Sequence, residues 1–269
     1  MNSTPLPASE LLVTKFITHI FNEGRPTSSI RSILSAVGYF HKISGLPSPT
    51  NSYLVSKLLI GTSRIRPRSD NRLPILSHIL KRLVSATTFQ PDDNYSNTLM
   101  RAVYTLMFYA FLRIGEVAVD KNTELTNLIQ IDDLQLFQSN GKHTSMSVTF
   151  RHFKHHLGKL MTLKITARQG ITCPVAAMAA YLSLRGNSTG PLFLLSNGRP
   201  LTKYYFSRYF KATLLQCRLD PSLYKSHSFR IGAATACAQK GIPFDVIRRL
   251  GRWKSDAFLN YIRIPTYTY

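Results

Sequence analysis

The chain has 269 residues, 44% of them hydrophobic and 17% charged, which excludes a disordered tail and allows one large domain or two of ordinary size. No apolar run is long enough to cross a bilayer and no basic-then-apolar leader opens the chain, so we read a soluble intracellular protein with no membrane partner. Lys plus Arg number 34 against 13 Asp plus Glu, and the resulting net charge of +21 is most easily carried by a protein whose partner is a polyanion. The basic residues are spread along the whole chain, which fits wrapping of double-stranded DNA better than a basic tail would. Cys173, Cys217 and Cys237 stand far apart with no CxxC pair and read as buried reduced thiols.

Short helices are predicted first. Leu12, Phe16 and Ile20 recur every fourth residue with Ile17 and Phe21 beside them, and Ile30, Ile33, Leu34 and Val37 form a second stripe from Ser28-Ser29 to Gly45. Leu54, Leu58 and Leu59 predict a third helix. Lys15, Arg25, Arg31, His41 and Lys42 fall on the polar side, giving a helical DNA-binding domain over residues 1–65. The stretch between Gly61 and Asn71 is basic and aperiodic, and it reads as a linker, bounded at 66–74, whose Arg64, Arg66 and Arg68 grip phosphate.

The second domain, 75–269, resumes helical spacing at Leu76, Ile79, Leu80 and Leu83. A longer helix runs from about Asn97 to end near Leu112-Arg113-Ile114-Gly115-Glu116. The period then becomes two at Leu134 and Leu136, at Met146, Val148 and Phe150, and at Leu160 and Thr162. This predicts a small antiparallel sheet whose last turn spans Lys154 to Lys159. Helices return at Pro174–Arg185, which Gly186 ends, and after the capping residue Thr202. Ser226 caps a helix running to Gly241, Pro243 opens one that stops at Gly251, and Ser255-Asp256 begin a short last helix holding Tyr261. The fold class is mainly α, with a helical N-terminal domain and a mixed α/β second domain.

Cleaving a phosphodiester without a metal needs an in-line nucleophile, charge stabilisation at the non-bridging oxygens and a proton for the leaving alkoxide. His227 and Arg230 stand one turn apart at a predicted helix start, where backbone N–H groups also favour an anion. Arg113 closes the long helix, Lys154 sits by the hairpin tip, and Arg252-Trp253 precedes Tyr261, whose hydroxyl can attack phosphorus. Singly, each has a plain structural reading as a solvated cation, a capping histidine or a packing aromatic. Their order and spacing carry the signal. His143, His152, His155 and His156 have no Cys or carboxylate at ligand spacing, so they predict phosphate contacts and no metal site.

Leu112-Arg113-Ile114-Gly115-Glu116, Arg151-His152-Phe153-Lys154, His227-Ser228-Phe229-Arg230 and Leu250-Gly251-Arg252-Trp253 with Tyr261 resemble the tyrosine recombinase (phage integrase) family over residues 70–265. Gly190-Pro-Leu-Phe and Gly198-Arg-Pro-Leu, with the last two motifs, look most like eukaryotic mobile-element recombinases of the DIRS and Crypton type. The resemblance implies a core-binding domain followed by the recombinase catalytic fold, a homo-tetramer assembled on DNA, and a nuclear setting in a eukaryote. It implies that Arg113 and Arg230 bind the scissile phosphate, with Glu116 supporting Arg113. Lys154 would protonate the leaving 5′ oxygen, His227 would act as acid/base, and Tyr261 would form a 3′-phosphotyrosyl bond without cofactor, metal or ATP. Arg151, Arg31 and Lys42 join the linker arginines as DNA contacts. Counted back from Tyr261, the family's second His or Trp falls on Arg252. Either Trp253 takes that role by a local shift, the reading preferred here, or Arg252 serves as a third guanidinium on the phosphate. Lys159 and Lys164 are rivals to Lys154, and Tyr267 and Tyr269 to Tyr261. Only Ile262–Tyr269 follow the nucleophile, so the resemblance implies a shortened chain or a different subunit contact. Two further readings stay open: a domesticated DNA-binding module without strand exchange, and a topoisomerase-like relaxing activity.

Overall fold

In the N-terminal part, apolar residues three and four apart can bury a stripe only by meeting stripes of neighbouring helices. The computed structural model, which describes residues 6–67, 70–89, 93–120, 124–151 and 160–263, divides into two compact units, Met1–Asp70 and Asn71–Tyr269. The first unit packs α1 (Glu10–Asn22), α2 (Thr27–Ile43) and α3 (Tyr53–Ile65). The Ser9 and Ser52 hydroxyls cap α1 and α3 by accepting the N–H groups of Leu12 and Val55.

The buried stripe of α1 is Val13, Ile17, Ile20 and Phe21, meeting Ile30 and Leu34 of α2 and Val55 and Leu59 of α3. Leu12 and Phe16, expected in that stripe, are exposed, as are Ile33 and Leu54. Apolar residues flank the stripe on both sides, so periodicity alone left its centre one position out. His41 departs from the polar face assigned to it. It is fully buried, its Nε2 accepting the Ala8 N–H at 3.0 Å and its Nδ1–H donating to the Val37 carbonyl at 2.8 Å. The basic, aperiodic stretch after Gly61 is helical as far as Ile65, where α3 ends.

The second unit is built on α5 (Asn94–Tyr109), which Asp93 caps through the Ser96 N–H. It is buried along most of its length among α4 (Ser77–Ala86), α6 (Pro174–Arg185) and α8 (His227–Gln239). Tyr104 of α5 stacks on Phe229 of α8 with centroids 5.4 Å apart, and Phe206 and Phe210 of α7 (Lys203–Gln216) close the aromatic cluster. This packing fixes the helix that carries His227 and Arg230.

The sheet is antiparallel in the order β1 (Leu134–Ser139), β2 (Lys142–Phe150), β3 (Met161–Thr166), with Leu136, Met146 and Ile165 in register. The Asn140-Gly141 turn, both residues left-handed, joins β1 to β2, as the right-handed twist of a tight hairpin requires. Met146, Val148 and Phe150 face the core, and β2 and β3 pack on α6. After α8 come α9 (Phe244–Leu250) and a 3-10 helix at Asp256–Tyr261.

Two expectations at helix ends are corrected. The long helix stops at Tyr109 because Phe111 is left-handed, so Arg113 lies beyond it, in extended backbone that opens a 3-10 turn at Ile114–Glu116. Ser226 makes no side-chain cap. The Ser228 hydroxyl accepts the Lys225 N–H instead, and α8 ends at Gln239.

At Gly232 the segment through Ile75 lies directly on α8, with the Ile75 N–H donating to the Ser228 carbonyl at 2.9 Å. A Cβ at Gly232 would stand 1.8 Å from the Ile75 carbonyl oxygen, which is backbone and cannot swing away. Gly232→Ala is expected to destabilise the protein by about 3 kcal/mol in denaturant unfolding, the upper range for overpacking.

Candidate active site

Arg230, one turn into α8, is 1% exposed. Its Nη1 donates to the Phe111 carbonyl and its Nη2 to the Gly251 carbonyl, while its buried Nε–H has no hydrogen-bond partner among the described residues. Trp253 roofs the guanidinium with its ring centroid 4.1 Å from Cζ, and the Tyr261 ring lies 5.9 Å from the same atom. Arg113 comes from the other side, on the turn after α5, with 27% of its side chain exposed. Glu116 organises that turn. Its carboxylate accepts the Arg113 backbone N–H at 2.8 Å and lies 3.5 Å from Arg113 Nη1.

Arg252 and Trp253, whose roles were left open by sequence, part company in the structure. Arg252 has no exposed side-chain surface. It donates to Glu116 at 2.8 Å and to the Ala110 and Phe111 carbonyls, and it stacks on the Phe150 ring at 3.8 Å. It therefore lies behind the crevice as the partner of Glu116. Trp253 is half-buried and lies 5.1 Å, centroid to centroid, from Tyr261. The turn that separates them uses an unusual residue. α9 ends before Gly251, and the left-handed residue after it is Arg252, with φ of 57°, where glycine is the common choice. Gly251 is needed for room, because a Cβ there would sit 1.5 Å from the Trp253 ring.

His227 and Tyr261 meet directly. Nε2 of His227 lies 2.7 Å from the Tyr261 hydroxyl, and both side chains are half-exposed. A histidine in that contact can take the phenolic proton as the oxygen attacks. His227 is the first residue of α8, so the helix dipole adds positive potential beside it.

The electrostatics of the crevice are those of crowded, buried cations. Burial, then the charges of Arg113 and Arg252, pull the Arg230 pKa down to about 9. Burial moves Arg252 in the same direction against the pull of Glu116. Between about 9 and the ordinary arginine range the unfolded chain binds the extra proton, so Arg230's contribution to stability rises with pH through that window. Below it the full cost of the buried cation stands, and an anion relieves it.

The other expected residues are scattered. Arg31 and Lys42 are exposed in the first unit and line a groove of about 490 Å³ together with Tyr39, Thr50 and Asn51. Arg64 is exposed on the last turn of α3. Arg66 is engaged within its own unit, donating to the Phe21 carbonyl at 2.6 Å and stacking on the Phe21 ring. Arg151 is paired with the buried Asp133 carboxylate, which ties β2 to the turn before β1. Lys164 stands on the outer side of β3, 5.7 Å from the Phe137 ring. His143 bonds Gln138 across the hairpin at 3.0 Å. Lys154, Lys159, Arg68, His152, His155, His156, Tyr267 and Tyr269 lie outside the described residues. Among the described residues no group of three or more His, Cys, Asp or Glu could hold a metal, and no helix is long and apolar enough to cross a membrane.

No family model matches the sequence, and no curated protein does either. Solved structures do match in fold. A lambda integrase (75–356) dimer bound to a COC′ core site superposes with a TM-score of 0.62 at 14% identity, over 100% of this chain and 85% of that one. The Tn1549 transposon integrase in complex with circular intermediate DNA gives 0.61 at 14% identity, covering 98% and 84%. The XerH site-specific recombinase, in a post-cleavage complex with palindromic difH substrate, gives 0.61 at 14% identity, covering 96% and 67%.

The chain has the tyrosine recombinase fold. Within it, sequence reasoning missed the backbone carbonyls of Phe111 and Gly251 that hold Arg230, since carbonyl placement leaves no residue-type signal. It also missed Thr235, discussed below.

Two outcomes test the crevice. Glu116→Gln leaves the Arg252 charge buried without its counter-ion and should cost about 3 kcal/mol in thermal or denaturant unfolding. Sulfate, added in place of chloride at equal ionic strength and near neutral pH, should stabilise the wild-type protein by about 2.7 kcal/mol at a hundredfold excess over its Kd. Arg230→Met should abolish that sulfate effect.

Proposed function

We propose that the protein is a site-specific DNA recombinase or integrase that cuts and rejoins strands through a 3′-phosphotyrosyl intermediate. The observation that carries the reading is the 2.7 Å contact between His227 Nε2 and the Tyr261 hydroxyl, set beside a buried arginine cluster with a net positive charge. The phenolic oxygen of Tyr261 attacks the scissile phosphorus as His227 accepts its proton. Arg230 and Arg113 neutralise the non-bridging oxygens. The bond to the 5′ oxygen breaks, and Lys154 supplies the proton to that oxygen. A 5′-hydroxyl of the partner strand then reverses the step, with the tyrosine as leaving group. The phosphotyrosyl ester conserves the bond energy, so no ATP is consumed. Trp253 packs behind Tyr261 and over Arg230, and Arg252 acts from behind through Glu116.

Double-stranded DNA as partner is supported by the net charge of +21 and by the DNA bound in the matching structures. Four copies assembled on DNA would carry out exchange. The motif forms near Gly190, His227 and Gly251 support an origin in a eukaryotic mobile element of the DIRS or Crypton type and a nuclear site of action.

Short nicked duplexes of randomised sequence, in which the cleaved fragment is lost, should trap wild-type protein as an adduct that survives denaturing electrophoresis. Tyr261→Phe should bind the same DNA and form no adduct. Adduct at the wild-type level with that variant would contradict the nucleophile, and binding without any adduct from wild type would mark a DNA-binding module.

A further inference from the structure

We infer that Thr235 is a positioning residue for the nucleophile, holding the Tyr261 backbone while His227 holds its hydroxyl. The inference rests on the reading of Tyr261 as the attacking group and adds how that group is aimed.

Tyr261 closes a short 3-10 helix, Asp256–Tyr261, and Ile262 after it is already extended. A 3-10 helix has poor hydrogen-bond geometry and little stability of its own. Phe258 anchors its inner face at 3% exposure, but this leaves the end that bears the tyrosine to be fixed separately.

Thr235 supplies that point. Its side chain is fully buried on α8. The hydroxyl donates to the Tyr261 carbonyl at 3.2 Å and accepts the Arg263 N–H at 3.0 Å. A threonine hydroxyl has one proton to give and lone pairs to accept, and both capacities go to the two residues flanking Ile262. Inside a helix such a hydroxyl commonly turns back to the carbonyl four residues earlier. Here it reaches across to the strand that leaves the nucleophile.

Position along the helix makes the contact useful. Thr235 follows His227 by two i,i+4 steps, so both face the same side of α8, about 12 Å apart along its axis. One rigid helix thereby grips Tyr261 at its phenol end and at its carbonyl end. With the backbone held, only the side-chain torsions remain to place the oxygen, and His227 and the Trp253 ring limit those. A misplacement of about 1 Å at a reacting atom lowers rates by about a hundredfold.

The test uses the full chain and the nicked duplex pool described above, first enriched for sequences that wild type captures. Thr235→Val removes the hydroxyl at constant shape, Thr235→Ala removes hydroxyl and methyl, and Thr235→Ser keeps the hydroxyl. We expect all three to bind DNA within about twofold of wild type. Adduct formation should slow by about tenfold or more in Thr235→Val and Thr235→Ala, which lose both hydrogen bonds of the hydroxyl. Thr235→Ser should stay within about threefold. If Thr235→Val does not fold, the Ala and Ser variants carry the comparison. Wild-type rates in the hydroxyl-free variants, or a Ser variant as slow as they are, would overturn the inference. A folded, DNA-bound wild type that forms no adduct at all would instead overturn the nucleophile, and the role of Thr235 with it.

Discussion

The Arg252–Glu116 ion pair is removed from water, and the geometry of the crevice follows from how that charge is accommodated. Burying an ion costs several kcal/mol even after relaxation, while the attraction of a close pair returns about 4 kcal/mol at an effective dielectric near 20. The balance has to be closed by hydrogen bonds, and the Ala110 and Phe111 carbonyls at the end of α5 supply them. The negative end of the α5 dipole points into the same turn, which makes it a seat for cations. Arg230 uses the same seat through the Phe111 carbonyl. Glu116 in turn orients Arg113 by its backbone N–H and its guanidinium. Three guanidiniums against one carboxylate leave the crevice positive. That excess costs folding free energy and is recovered when an anion enters.

The strained turn after α9 belongs to the same device. A non-glycine residue in the left-handed region costs about 1–2 kcal/mol. At Arg252 that cost is offset by the ion pair that the left-handed backbone makes reachable. The same turn then swings Trp253 outward over Arg230 and against Tyr261. One backbone inversion thus sends two adjacent side chains to opposite sides of the site, one to Glu116 behind it and one to Tyr261 in front.

Much of this was legible in the sequence. The mainly helical fold with its small antiparallel sheet could be read from period and turn residues. Arg113, His227, Arg230 and Tyr261 could be named from their order, and the structure brings these four side chains together. What was not legible has physical reasons. Arg252 and Trp253 could not be separated because the count back from Tyr261 falls on Arg252 with Trp253 one residue later; the left-handed backbone at Arg252 decides which side each takes, and Gly251 leaves the space the indole needs. The buried stripe of α1 was ambiguous because apolar residues lie on both flanks, where they stay exposed. His41 looked like part of a basic face and is a buried bridge, which only its partners at Ala8 and Val37 reveal. Arg151 looked like a phosphate contact and is held by Asp133, a pairing between residues far apart in sequence. Thr235 had no distinguishing signal, since a threonine in an alanine-rich helix reads as packing.

The central claim is that the crevice directs one particular phenol onto phosphorus. Mass spectrometry of the DNA-linked peptide, after exhaustive nuclease and protease digestion of a trapped complex, tests it most directly. The account predicts a nucleotide joined through its 3′ phosphate to Tyr261. Attachment at another residue, Tyr267 or Tyr269 included, or linkage through a 5′ phosphate, would contradict it.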